Sequence, residues 1–204
     1  PLPHWLLALP AAMIGAALFG AAWALIPAWL QAKRGSHIVI TTIMFNFIAA
    51  ALLNYVLVNI LRPVGSMDPA SARFPESTYL PALTDIAAAI GIQWGKNTPV
   101  NITFLIAILA CLLVWLLIWR TRLGYEIRAL GRSEPGALYA GISPVRIIVI
   151  AMLISGGLAG LMAINNVMGE SERLVLNAVE GAGFIGIAVA LMGRNHPFGV
   201  FLAA

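Results

Sequence analysis

Val100 to Trp119 reads VNITFLIAILACLLVWLLIW, an uncharged run interrupted only by Asn101 and Thr103 near its start. A helix apolar on all sides is either buried deep in a large protein or spans a membrane, and about 20 such residues cover the roughly 30 Å hydrocarbon core. Four further runs accompany it: Trp5 to Leu30, Ile38 to Leu61, Ile147 to Ile164 and a shorter one from Ala178 to Met192. Of the 204 residues, 61% are hydrophobic and 10% charged, with mean hydropathy +0.92. Soluble domains carry about 25% charged residues. The expected architecture is therefore all-α, a polytopic transmembrane helix bundle of about five to six spans. It forms one membrane domain over residues 1–204, which leaves no room for a large extramembrane catalytic domain. The start at Pro1 and the stop inside the apolar Phe201 to Ala204 suggest a fragment truncated at both ends.

The connections fix the orientation. Because alternate connections share a side, Lys33, Arg34, Arg120, Arg122, Arg128, Arg132, Arg146 and Arg194 fall together, against Arg62, Arg73, Lys96 and Arg173. The first group sits mostly on short connections, so the positive-inside rule makes that side cytoplasmic. Scattered in this way, the basic residues form no stripe for a phosphate backbone, and no nucleic-acid partner is expected. Cys111 stands alone in an apolar run, so neither a disulfide framework nor a thiolate metal site is expected. The first apolar run has no basic residue before it and is too long for a signal peptide.

The extracytoplasmic loop 62–99 has internal order. Pro63, Pro69, Pro75 and Pro81 break its first half, while Leu83, Ile86, Ala87 and Ile90 follow helical spacing. Such a helix would lie on the outer membrane surface with Trp94 at headgroup level, or dock an external partner. Small residues also recur at helical spacing: Ala12, Ala16, Gly20, Ala24 and Ala28; Gly156 and Gly160; Ala182, Gly186 and Ala190. They predict close helix packing in lipid.

Several motifs fail on their context. Gly181-Ala-Gly183-Phe-Ile-Gly186 fits the dinucleotide fingerprint, which requires a preceding strand and an acidic residue further on. Gly91 to Asn97 has the wrong glycine spacing for a phosphate loop and lacks the magnesium-binding Ser or Thr. Ser155 has no suitable base, since His4, His37 and His196 lie at span ends. Neither a catalytic residue nor a metal site is expected.

Polar groups within the spans are the pathway candidates: Thr42 and Asn46 one turn apart, Asn54 beyond them, Asn165 and Asn166 closing the fourth run, and Glu180 opening the fifth. Interhelical hydrogen bonding explains the asparagines equally well. An ionised Glu180 requires water or a partner. Fifteen residues from Ala178 to Met192 cover only about 22 Å as a helix. With Gly181, Gly183 and Gly186 among them, they predict a short, broken or re-entrant helix, with a tilted complete span as the alternative.

The cytoplasmic loop 120–146 is the most informative connection. Ser133 is placed to cap a helix, with Glu134 and Pro135 in its first turn, Ala137 to Ala140 helical, and Gly141 ending it. A short helix with small and aromatic residues, parallel to the membrane, suits a groove on another protein. Here the sequence resembles a family. Gly124-Tyr125-Glu126-x-Arg128-Ala129-x-Gly131 followed by Pro135, Ala137 and Tyr139-Ala140-Gly141-Ile142 is similar to the coupling loop of ABC importer permeases of the branched-chain amino acid, simple sugar and nucleoside type. Thr42-Ile43-Met44-x-Asn46-x-Ile48-Ala49, Ser155-Gly156-x-Leu158-Ala159-Gly160 and Gly183-Phe184-x-Gly186-Ile187-Ala188 agree with it.

The resemblance implies a multi-pass inner-membrane permease subunit of an importer, paired with a second permease subunit and fed by an extracytoplasmic solute-binding protein. ABC ATPase subunits would bind ATP and magnesium, and this chain would hold no cofactor. Gly124, Glu126, Arg128, Ala129, Gly131, Glu134, Pro135, Ala137, Tyr139, Ala140 and Gly141 would form the ATPase-coupling segment. Thr42, Asn46, Asn165, Asn166, Glu180 and Phe184 would line the translocation path of a small polar solute. A branched-chain amino acid ABC permease is one alternative to a sugar or nucleoside permease, and an ion-coupled secondary transporter is the other, although the latter calls for a relay of intramembrane carboxylates where only Glu180 is available. A purely structural scaffold is the third class.

Overall fold

The computed structural model describes residues 5–63, 65, 68–75, 79–80, 101–176 and 181–204. The expected surface helix at 83–90, Trp94, the segment 91–97 and Glu180 lie outside them.

Among the described residues the regular elements are helical. The long ones are α1 (Trp5–Arg34), α2 (Ile38–Val56, continued by a π-helical turn, Leu57–Leu61), α3 (Thr103–Arg120) and α6 (Pro144–Ile164, continued by a π-helical turn, Asn165–Glu170). Between α3 and α6 lie two short helices, α4 (Arg122–Arg132) and α5 (Glu134–Tyr139). The chain closes with α7 (Ala182–Met192) and α8 (Pro197–Ala203). Four segments, Leu7–Arg34, Ile38–Leu61, Thr103–Arg120 and Pro144–Glu170, are long and apolar enough to cross a membrane. These correspond to the first four apolar runs. The polytopic all-α bundle is thus observed. The fifth run gives a short helix, as its length predicts, but α7 is unbroken through Gly183 and Gly186, and the break lies beyond the run: α7 and α8 meet at 118° across residues 193–196.

The spans expose apolar side chains along their length. The buried described residues are all apolar, including Ala8, Ala28, Leu57 and Ile164, while Leu18, Phe19, Ile40, Phe47 and Leu113 stand exposed along the spans. A water-soluble chain would hide those side chains.

The main seam joins α1 to α6. A Cβ on Gly20 would fall on the Gly156 carbonyl oxygen, one on Gly160 on the Ala16 carbonyl oxygen, and one on Gly156 would lie 2.7 Å from the Gly20 oxygen. Two of the small-residue stripes therefore face each other, backbone to backbone. The third stripe behaves differently: Gly183 and Gly186 on α7 have open space around them.

The two sides derived from alternation of the connections are also coherent. On the outer side Ala70 and Val175 form an antiparallel bridge, and the amide of Ser71 donates to the Leu174 carbonyl at 2.9 Å. The Leu174 amide returns a hydrogen bond to Ser71 Oγ at 2.9 Å. On the basic side α4 packs on the end of α3, and α8 lies along α3.

Gly193 and Gly199 bring the α7–α8 bend into backbone contact. Within it Arg194 and Asn195 both adopt left-handed φ values, +53° and +55°, a conformation that costs non-glycine residues energy.

Candidate functional site

The segment 120–146 folds into a compact module. Thr121 Oγ1 donates to the Leu117 carbonyl at 2.6 Å and accepts from the Gly124 amide at 3.1 Å, ending α3 and starting α4 with one side chain. Gly124 then sits directly on the Leu117 and Ile118 carbonyls, where any side chain would collide. Ser133 caps α5 by accepting from the Gly136 amide at 3.2 Å, Pro135 occupies the first turn, and Gly141 leaves the helix at φ +76°. The cap, the first turn and the terminating glycine all fall where the sequence placed them. Serine caps contribute about 1 kcal/mol. Ser133→Ala is therefore expected to speed amide hydrogen exchange at Gly136 and Ala137 by about fivefold, measured in the membrane-inserted protein.

A small core holds the module together. Ala137, Ile142 and Ile147 are buried against one another, with Ile127, Ala129 and Leu130 packed around them. Ala137 thus supports the surface from beneath, and its neighbours Leu138, Tyr139 and Ala140 project outward. Tyr139 is 94% exposed, more than any other large hydrophobic residue described. Gly131, Glu134 and Pro135 are exposed beside it. Glu126 pairs with Arg122 at 3.3 Å, a surface pair that contributes little to stability. Arg128 has turned toward the membrane, with its guanidinium 4.6 Å from the Trp119 ring centre.

The pathway candidates are more dispersed. Thr42 satisfies its hydroxyl within its own helix, donating toward the Ile38 and Val39 carbonyls at 2.8 and 3.0 Å. Asn46 is exposed on α2, and Phe184 is exposed on α7. These two helices do not pack against each other over any length. Asn165 is engaged: its Oδ1 accepts from Thr103 Oγ1 at 2.8 Å. Asn101 Nδ2 donates to the Gly169 carbonyl at 3.2 Å nearby. The Asn166 carbonyl accepts from the Ser171 amide at 2.9 Å.

The Thr103–Asn165 and Asn101–Gly169 bonds tie α3 to the outer end of α6. They border a cleft of about 540 Å³ lined by Thr103, Phe104, Ala107, Leu158, Met162 and Asn165 among others, none of them charged. Sequence reasoning passed over Asn101 and Thr103 as polar residues opening a span. Their signal was depth, because Thr103 begins one span at the level where Asn165 ends another.

Fold and site define a multi-pass membrane protein with a compact, capped helical module on its basic side. The family model described as "Branched-chain amino acid transport system / permease component" matches residues 2–204, and the chain belongs to that family of membrane permeases. The guanosine ABC transporter permease protein NupP of Bacillus subtilis is 38% identical over 202 residues, covering 96% of this chain and 54% of NupP. The nucleoside ABC transporter permease protein NupB of Lactococcus lactis is 33% identical, over 98% of this chain and 54% of its own. The glucose ABC transporter permease protein TsgB13 of Haloferax volcanii is 32% identical, over 96% and 51%. The chain thus spans about half the length of these curated relatives. No solved structure matches it significantly.

Proposed function

We propose that this chain is the core of a permease subunit in an ATP-driven importer that moves a simple sugar or a nucleoside by alternating access. The observation that carries this reading is the α4–α5 module, a capped and internally packed helix pair whose outermost side chain, Tyr139, is an aromatic residue held in full exposure. Exposed aromatic residues on a rigid base are the usual anchors of protein interfaces. The occupant of the site is an ABC ATPase subunit, which binds ATP and magnesium. ATP binding closes the ATPase pair, displaces the module and opens the bundle to one side and then the other. A second permease subunit completes the path, and an extracytoplasmic binding protein delivers the solute.

The relatives' guanosine, nucleoside and glucose permeases support an uncharged solute. So does the uncharged lining of the cleft at Thr103 and Asn165. Asn46, Asn166, Glu180 and Phe184 are assigned to the remainder of the path.

Association tests the reading. Full-length protein in nanodiscs is expected to retain an ABC ATPase subunit when purified from membranes that express its neighbours. Purification without any ATPase would favour the ion-coupled transporter. Along the path, Asn46→Ala and Glu180→Gln are each expected to cut uptake of radiolabelled solute by on the order of tenfold, the effect of losing about 1.4 kcal/mol from a polar contact. Unchanged uptake in both, with the proteins correctly inserted, would remove these residues from the path.

A further inference from the structure

Arg128, Trp119 and His196 belong to three different elements and meet at one point. Trp119 is the penultimate residue of α3. The Arg128 guanidinium of α4 lies 4.6 Å from its ring centre, and the His196 ring, at the start of α8, stacks on it at 6.0 Å and 29°. Arg128 Nε also donates to the Gly124 carbonyl at 3.4 Å, and Gly124 is seated on the last turn of α3. His196 follows the tight turn at Gly193, Arg194 and Asn195 and stands at the N-terminal end of α8, where its carbonyl accepts from the Val200 amide at 2.8 Å. From there Phe198 reaches Trp115 at 6.2 Å and Phe201 reaches Phe104 at 5.9 Å, so α8 lies on α3 through a row of rings.

We propose that Trp119 and His196 are positioning residues that transmit displacement of the α4–α5 module to the α7–α8 bend, an inference that rests on the importer reading. The chain of contact is short and continuous: module, Arg128, Trp119, His196, bend. A tryptophan at the end of a span also anchors it at the headgroup level, but anchoring requires neither the guanidinium above the ring nor the imidazole stacked on it. Packed elements that touch through stacked rings shift together, and the bend carries two consecutive non-glycine residues at left-handed φ, Arg194 and Asn195. Trp119 and His196 belong to other elements than α5, which carries Leu138 and Tyr139, so the ATPase should dock normally when they are changed.

The test uses the full-length permease purified with its ATPase, with Cys111→Ala and spin labels at Leu18 and Leu202, which are 66% and 84% exposed. A magnesium complex of a non-hydrolysable ATP analogue is expected to shift the distance between the labels. Trp119→Leu should keep the ATPase bound while reducing the shifted population on the order of tenfold, within the roughly 5–150-fold range of coupling between sites. Trp119→Phe, which keeps a ring, should restore most of it.

His196→Ala should reduce the shift as Trp119→Leu does, and the double variant should lose no more than the single ones, because residues acting in series are not additive. Should Trp119→Leu fail to insert, the His196→Ala result decides. The inference is overturned if wild type shows no shift, if both single variants shift like wild type, or if their losses add. Absence of a bound ATPase in wild type would instead bring down the importer reading, and this inference with it.

Discussion

A leucine at Gly160 is expected to eliminate the folded, monodisperse protein from detergent extracts. At that position α1 and α6 are in backbone contact: a Cβ on Gly160 would meet the Ala16 carbonyl, and one on Gly20 the Gly156 carbonyl. Overpacking a well-fitted interior costs about 1–3 kcal/mol when neighbouring side chains can yield. Here the neighbour is helical backbone, which yields only by separating the two helices along their whole contact. In lipid no hydrophobic force draws them back, since association depends on the close packing itself.

Gly186→Leu is the control. Gly186 also belongs to a small-residue stripe, but open space surrounds it in this chain, so the leucine variant should fold. Size-exclusion profiles and thermal unfolding in detergent make the comparison. A Gly160→Leu protein as monodisperse and as heat-resistant as wild type would mean that α1 and α6 do not pair in this way.

The second large effect concerns the docking module. Tyr139→Ala is expected to weaken retention of the ATPase by on the order of thirtyfold, the consequence of losing a hot spot of about 2 kcal/mol. Insertion and folding should be unaffected, because the ring touches little within its own chain at 94% exposure. Ala137→Leu should lose the partner by another route. Ala137 is 2% exposed between Ile142 and Ile147, so the added bulk lifts α5 off its base. Faster hydrogen exchange across α5 in Ala137→Leu, with wild-type exchange in Tyr139→Ala, would separate the two causes. ATPase retained at wild-type levels by a correctly inserted Tyr139→Ala protein would remove Tyr139 from the interface.

Local chemistry decided what could be read from the sequence. Four apolar runs became four candidate spans within a few residues of their expected limits. Ser133, Pro135 and Gly141 marked α5 because a capping hydroxyl, a proline in the first turn and a left-handed glycine each act within four residues along the chain. The shortness of the helix in Ala178 to Met192 was visible in the length of the run, whereas the 118° bend lies beyond it, at residues 193–196, and not at Gly183 or Gly186. The helix α4 was read only as a family motif. Its start depends on Thr121 bridging two helices, a dual role that one polar residue does not announce.

Partnership between distant segments was not legible. The sequence contained three small-residue stripes that look equivalent, because spacing along one helix says nothing about which other helix will meet it. Tertiary structure paired α1 with α6 and left the α7 stripe open. Asn165 was marked as polar within a span, yet its bond to Thr103 connects residues 62 positions apart. His196 was set aside as a catalytic base, and its contact with Trp119 was invisible for the same reason. The sequence by itself determined the apolar spans of this protein and the capping of α5, consequences of composition and of neighbours a few residues apart. Tertiary structure alone decided which helices touch, that Ala137 supports while Tyr139 projects, and how the module reaches the bend, since those contacts join residues that only the packed bundle brings together.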